Sequence, residues 1–470
     1  MALFHPVSGF SLVFLSTLLS LVIVSHQQQP LLNPAEQDAV YQVLHSINPT
    51  IAWRSLFSDD LCSSAPHGVV CDYFSDDEDE ANETVHVTEL SFGYVSDYAP
   101  NPPCSPEFSA LDPLLFTSFK FLRKLFFYKC FNNATQSVSF PHVASPSFLS
   151  TLEELVFVDN PSLVGPLSGI IRNYTSLRRV VMTGNGVYGD IPNVVGDLVK
   201  LEEITLSRNQ LSGGVPSNLA KLKNLKVLDL SHNHFDGDVP DTLGNLTELL
   251  KLDLSYNRLF GKIPEDLRRL QSLEFLDLSY NHFGNFGVPL ILGEMPRLKE
   301  VYLSGNLLGG QIPEIWEELG GVLGVGLSNA GLVGNIPASM GVHLRNLCYL
   351  GLDNNNLEGT VPVEFGLLES VSEINLENNN LSGRVPFSAK FPAKFGGKLK
   401  LKLAGNPELC VDEGLGSKGR ATWGQLKVCS NKPVIPNAVL FTGGSNSQLV
   451  VPHDMLLLFL GFLFVYLLLD

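Results

Sequence analysis

The eleven residues LEFLDLSYNHF (273–283) decide how this chain folds. Twenty-four residues earlier stands LLKLDLSYNRL (249–259), and twenty-four before that LKVLDLSHNHF (225–235). The shared pattern is L-x-x-L-x-L-x-x-N. Leu273, Leu276 and Leu278 have the spacing of a short strand entered from a turn, and Asn281 closes it. The closing position recurs at Cys130, Asn160, Asn185, Asn209, Asn233, Asn257, Asn281, Asn306, Ala330, Asn355, Asn379 and Asn406. From Asn160 to Asn379 every step is 24 or 25 residues. A unit this short cannot bury its apolar face alone, so successive units must stack. Each Leu buried between coils contributes roughly 1.5–3 kcal/mol. A buried closing Asn can satisfy backbone groups of the neighbouring coil that would otherwise cost about 1–3 kcal/mol each. The Asn column is therefore a structural ladder, not a site.

A second signature follows each Asn: LSGGVP (211–216), FDGDVP (235–240), LFGKIP (259–264), LVGNIP (332–337), LEGTVP (357–362) and LSGRVP (381–386). Gly supplies unusual backbone angles, and Pro fixes φ without needing a donor. The expectation is an α/β solenoid of about twelve coils with parallel strands lining a concave face. The period lies in the leucine-rich-repeat range. The L-x-G-x-[IV]-P segment resembles the plant-specific 24-residue class, which builds the ectodomains of plant receptor-like kinases and receptor-like proteins. The resemblance covers about residues 35–430.

It implies disulfide caps at the two ends. Trp53, a helix over 34–47, and Cys62 with Cys71 resemble the family's N-terminal cap, placed at 26–86. Repeats would then run over 87–406. Cys410 and Cys429 would close a C-terminal cap over 407–430, at a wider spacing than the family's usual pair. Cys104 and Cys130 remain as a third bond in an irregular early region. Cys348, on the strand LCYLGLDNN, is either a half-buried thiol or an intermolecular bridge. The acidic run DDEDE (76–80) reads as a solvated loop ahead of a first strand VTELSF (87–92).

Composition narrows the function. The 470 residues are 44% hydrophobic and carry a net charge of −17. That balance argues against nucleic-acid binding, which needs a basic footprint. No zinc-type Cys/His spacing, no phosphate-cradling G-x-x-x-x-G-K and no kinase motif set occurs, and no kinase domain would fit after residue 430. No catalytic residue, metal ligand or cofactor is expected. The apolar run Phe10–Val24 has the length of a signal-peptide core, giving a signal segment over 1–25. Sequons at Asn82, Asn133, Asn173, Asn245 and Asn380 fit a secreted chain. After a linker (431–454), the apolar tail 455–470 has no basic flank, and small residues precede it. That is the pattern of a glycolipid-anchor signal, with Ser445 as the attachment residue and a short membrane span as the alternative. The expected location is the outer face of the plasma membrane.

Binding falls to the variable positions of the strand-lined face. The position before the ladder Asn reads Arg208, His232, Tyr256, Tyr280. The strand positions add Lys251, Phe275 and Tyr302, with Asp229, Asp253 and Asp277 as repeat wording. The candidate ligand surface is thus Arg208, His232, Tyr256, Phe275, Tyr280 and Tyr302, since aromatics and Arg anchor interfaces. Gly324 and Gly326, near the Ala330 that replaces a ladder Asn, would leave the face bare, by drift or to admit a partner's backbone. Resemblance to kinase-less receptor-like proteins, the class of Too Many Mouths and the Piriformospora indica-insensitive proteins, implies a co-receptor. Its partners would be receptor-like kinases and a secreted peptide or microbe-derived ligand. The alternative is a cell-wall inhibitor resembling polygalacturonase-inhibiting proteins, which the acidic balance and apolar tail disfavour.

Overall fold

The computed structural model describes residues 31–63, 68–76, 79–93, 104, 110–132, 136–141, 146–148, 150–171, 174–387, 391, 399–412 and 426–429, with only the backbone at 75–76 and 79–82. The chain divides into a unit over Met1–Val428 and one over Cys429–Asp470, of which Cys429 alone is described. The expected signal segment, linker, Ser445 and apolar tail lie outside the described residues.

The first unit opens with a helix over Pro34–Ile47. Asn33 caps it by accepting from Ala35 N at 2.9 Å, and Pro34 supplies a preset φ at its first turn. Its buried face (Ala39, Val40, Val43, Leu44, Ile47) seals the end of the core. Trp53 is buried, and its indole N–H donates to Asn48 O at 2.9 Å. Cys62 is bonded to Cys71, at the start of a hairpin of Val69–Asp76 and Asp79–Gly93. The expected loop over the acidic run is overturned at its described ends, 77 and 78 lying outside the described residues. Asp76 ends one strand, and Asp79 and Glu80 begin the next, because antiparallel pairing continues out to Asp76 opposite Asp79. The second strand also crosses the expected 86/87 boundary and becomes the first parallel strand of the repeats, pairing with Lys124–Tyr128.

From there the strands run in sequence order through one sheet, ending at Lys400–Lys402. The register places the central residue of each three-residue strand beside its equivalent: Ile204, Leu228, Leu252, Leu276, Val301, Val325, Leu350 and Ile374 lie side by side. All are buried. In the early coils phenylalanine takes over the core, where Phe92, Phe127 and Phe157 stack at 4.8 and 5.1 Å.

The ladder is built as the repeat implies. Asn257 donates from Nδ2 to Leu230 O (3.0 Å) and Leu254 O (3.1 Å), and its Oδ1 accepts from Phe235 N at 3.0 Å. Asn233, Asn281, Asn306, Asn355, Asn379 and Asn406 repeat the scheme. Ala330 breaks it: the amide that other coils offer to the preceding coil is absent beside Leu303 and Leu308. Cys130 holds the ladder position in its coil and is bonded to Cys104.

Up to Phe283 the second signature forms its own parallel sheet, seven strands from Val138–Ser139 to His282–Phe283, and the later coils form a pair, Val333–Asn335 with Asn356–Glu358, and a three-stranded sheet that begins at Ser382–Arg384. Pro192, Pro216, Pro240, Pro264, Pro289 and Pro362 then each lead into a short 3-10 helix at φ near −60 to −75°, the value the proline ring imposes. Cys410 and Cys429 are both disulfide-bonded, and Cys348 is free and half-buried.

Candidate functional site: the exposed face of the long sheet

Alternation along each strand sends one set of side chains into the core and the next onto the open face. Phe275 and Asp277 flank the buried Leu276 in this way. The residue before the ladder Asn is forced into a left-handed conformation in every coil, at φ 49° to 76° from Lys129 to Gly405. Gly, Asn and Asp tolerate this best. They fill the position at Asp159, Gly184, Gly305, Asn329, Asn354, Asn378 and Gly405. Arg208, His232, Tyr256 and Tyr280 occupy it in four consecutive coils.

His232, Tyr256 and Tyr280 come together. Their rings stack at 4.1 and 4.3 Å, nearly parallel, and the two tyrosines stay 43% and 49% exposed. Tyr280 lies against Gly305, where an added methyl would meet the ring at 2.6 Å. Arg208 does not join them. It reaches back over Gly184 to Asp159, at 2.6 Å.

Phe275 and Tyr302 form a second pair, tilted at 5.9 Å, and Tyr302 meets Tyr349 at 6.3 Å. The sequence reading missed Tyr349, although continuing the Phe275 column across the register leads directly to it. The expected bare patch is also filled. A methyl on Gly324 would meet the Tyr302 hydroxyl at 2.6 Å, one on Gly326 its ring at 2.7 Å, and one on Gly351 the Tyr349 hydroxyl at 2.5 Å. The glycines seat the chain's own tyrosines, so they leave no room for a partner's backbone.

Between the two aromatic rows run Asp229, Asp253 and Asp277 on adjacent strands. Each turns one oxygen to the Ser two residues on, accepting from its N–H and hydroxyl. Lys251 bridges Asp229 at 2.8 Å and Asp253 at 3.6 Å, with its ammonium 5.3 Å from the Phe275 ring centre. Asp277 has no such partner among the described residues. Burial, then the neighbouring Asp253, pushes its carboxyl up to about 7. Burial chiefly, then Glu300, raises the Tyr302 phenol, whose O–H donates to Glu300 Oε2 at 2.8 Å.

Of the sequons, Asn245 is half-buried at the end of a 3-10 helix, and Asn380 is exposed just past its ladder Asn. Asn133 and Asn173 lie outside the described residues, as does the side chain of Asn82. Among the described residues no group of His, Cys, Asp and Glu could hold a metal ion, and no helix is long and apolar enough to cross a membrane.

Comparison with known proteins agrees with this architecture. The family profile described as Leucine rich repeat matches residues 175–235 and 223–283, and a second repeat profile matches 272–295 and 297–319. Protein TOO MANY MOUTHS of Arabidopsis thaliana is 36% identical over 149 residues, 31% of this chain and 26% of that protein. Piriformospora indica-insensitive protein 2 of the same plant is 34% identical over 168 residues, 36% of this chain and 37% of that protein. Receptor like protein 29, also from Arabidopsis thaliana, is 34% identical over 154 residues, 32% of this chain and 30% of that protein. The matches thus span well under half of each relative. Among solved structures, a TDR receptor superposes with a TM-score of 0.55 at 27% identity, over 66% of this chain and 51% of the receptor. The PEPR1–AtPEP1 complex reaches 0.60 at 23% identity over 84% of this chain and 55% of that one, a likeness of fold.

Proposed function

We propose, from the premise that this chain is a leucine-rich-repeat protein similar to plant receptor-like proteins, that it is a cell-surface recognition module. In this reading it works as a co-receptor, pairing with receptor-like kinases and contributing a surface for a secreted peptide or microbe-derived ligand. The observation that carries it is the central stretch of the long sheet. A coil that only holds its neighbours has no need of exposed stacked rings on a backbone that favours Asn or Gly. The chemistry of the face is that of recognition: aromatic area with a few fixed charges.

The expected signal segment, sequons and anchor at Ser445 fit a place outside the plasma membrane. There the module would act through a partner that spans the membrane. The test is to express the full chain in plant cells, cross-link at the surface and identify what co-purifies. Recovery of receptor kinases in defined ratio supports the reading. Their absence, while a known co-receptor recovers its kinase under the same conditions, overturns it. Release of the chain from intact cells by phosphatidylinositol-specific phospholipase C separately tests the anchor, and retention would count for a membrane span.

A further inference from the structure

Across the strand register, Asp229 has Lys251 as its diagonal neighbour on the next coil, and the two form an ion pair beside the Phe275 ring. Two coils on, the same diagonal sets Asp277 beside Glu300, a carboxylate where the cation should be. One oxygen of Asp277 is taken by Ser279, and Glu300 accepts from the Tyr302 hydroxyl. Phe275 and Tyr302 stand together at this point, and the Tyr256–Tyr280 stack runs alongside. The wider stretch is uncompensated in the same sense. Between Val227 and Asp353 the strands carry Asp229, Asp253, Asp277, Glu300 and Asp353 against Lys251, and the one further cation at the strand entries, Lys299, is already closed on Glu274 at 2.6 Å.

We propose that this face binds an extended segment of a secreted polypeptide through a basic side chain, Arg or Lys, seated between Asp277 and Glu300 against Phe275 and Tyr302. This deepens the reading of the sheet as a ligand surface and rests on it. Charge complementarity selects the occupant. Two carboxylates on neighbouring strands lack an ion pair among the described residues, and a cation over aromatic faces gains from both interactions. Lys251 shows from within the molecule that an ammonium sits well in such surroundings, 2.8 Å from a carboxylate oxygen and 5.3 Å from a ring centre. The exposed Tyr256 and Tyr280 then receive the rest of the segment. Their left-handed backbone holds the rings out in a fixed direction, which keeps the entropy lost on binding small.

The test incubates the full glycosylated chain with an array of random twelve-residue peptides and measures the affinity of the retained sequences. Three variants accompany it. Asp277→Asn keeps the oxygen that Ser279 needs and removes the charge. The double substitution Tyr256→Asn with Tyr280→Asn places at both positions a residue the left-handed backbone accepts readily, so it folds. Glu154→Gln, in a self-paired region of the sheet, serves as the control. The expected result is a retained set enriched in Arg and Lys. Asp277→Asn should weaken it by roughly tenfold or more, the tyrosine double variant should weaken it also, and the control should leave it unchanged. A retained set that is neutral or acidic, yet lost in the tyrosine variant, overturns the basic anchor and leaves the ligand surface standing. If nothing retained depends on either variant, both the anchor and the ligand-surface reading fall.

Discussion

The long sheet carries two faces of different character on one scaffold. In its early coils the charges are arranged to satisfy each other. Glu154 sits between Lys124 and Arg179 at 3.4 and 3.5 Å, Arg179 reaches Glu203 at 2.8 Å, and Glu202 joins Arg178 to Lys226. At the far end Lys402 and Lys400 close on Glu373 at 2.7 and 3.6 Å. Between them the opposite charges thin to two links, Lys251 with Asp229 and Asp253, and Lys299 with Glu274 at 2.6 Å, and rings, glycines and carboxylates without an ion pair among the described residues take over. The difference lies mainly in residues that the fold leaves free, because the parallel register runs through both regions and the Asn ladder is interrupted only at Cys130 and Ala330 among the described coils.

The largest effect should come from breaking what the two regions share. Asn257→Ala removes three donor contacts and one acceptor at once. It should lower stability by roughly 3 kcal/mol, read by urea denaturation, because the carbonyls left behind are buried. A loss no larger than that of a surface substitution would mean the coils stand on leucine packing alone. The reverse experiment is Ala330→Asn, which supplies the rung missing beside Leu303 and Leu308. A gain of about 1 kcal/mol is expected. A loss would show that this coil has closed over the space.

Asp277 sharpens the comparison by its pH dependence. Its carboxyl is raised in the folded state by burial and by Asp253, so folding favours its protonated form. That contribution is fully present below the unfolded pKa near 4. It is lost as pH rises through about 7, the folded value. Acidifying from neutral toward that lower limit should therefore stabilise the protein, by roughly 1–2 kcal/mol over the first units. Asp277→Asn should flatten that part of the profile. An unchanged slope in the variant would assign the effect elsewhere.

The fold was legible because a period of 24 or 25 residues dictates stacking whatever the exposed residues are. The ladder Asn, the capping helix over 34–47 and the six cap and bridge cysteines could all be placed before any coordinate. The face was only half legible. The columns rightly brought His232, Tyr256 and Tyr280 together, since register alone sets neighbours in a parallel sheet. Register does not say where a long side chain turns, so Arg208 was assigned to the patch although it spans two coils to Asp159. Nor does it say what fills a gap, so Gly324 and Gly326 looked empty when Tyr302 lies on them. The acidic run at 76–80 misled for a related reason. Charge suggests a loop, but strand pairing is made by the backbone, and it takes in Asp76, Asp79 and Glu80.

The smallest effect belongs to the early coils, and its size is the point of measuring it. Glu154→Gln cuts the contacts to Lys124 and Arg179, whose side chains are 41% and 44% exposed. Partly solvated pairs of this kind contribute about 1 kcal/mol or less, and salt at about 1 M shortens the screening length to roughly 3 Å. The substitution should therefore cost little at low salt and nothing at high salt. Asp277→Asn, also the loss of one carboxylate, should act in the opposite direction at neutral pH, because there the carboxylate faces its own kind. If both changes destabilise alike, the central carboxylates have partners the geometry does not reveal, and the contrast between the two faces disappears. If the signs differ, the early coils form a charge lattice closed on itself and the central carboxylates stand open, as the proposed basic anchor requires.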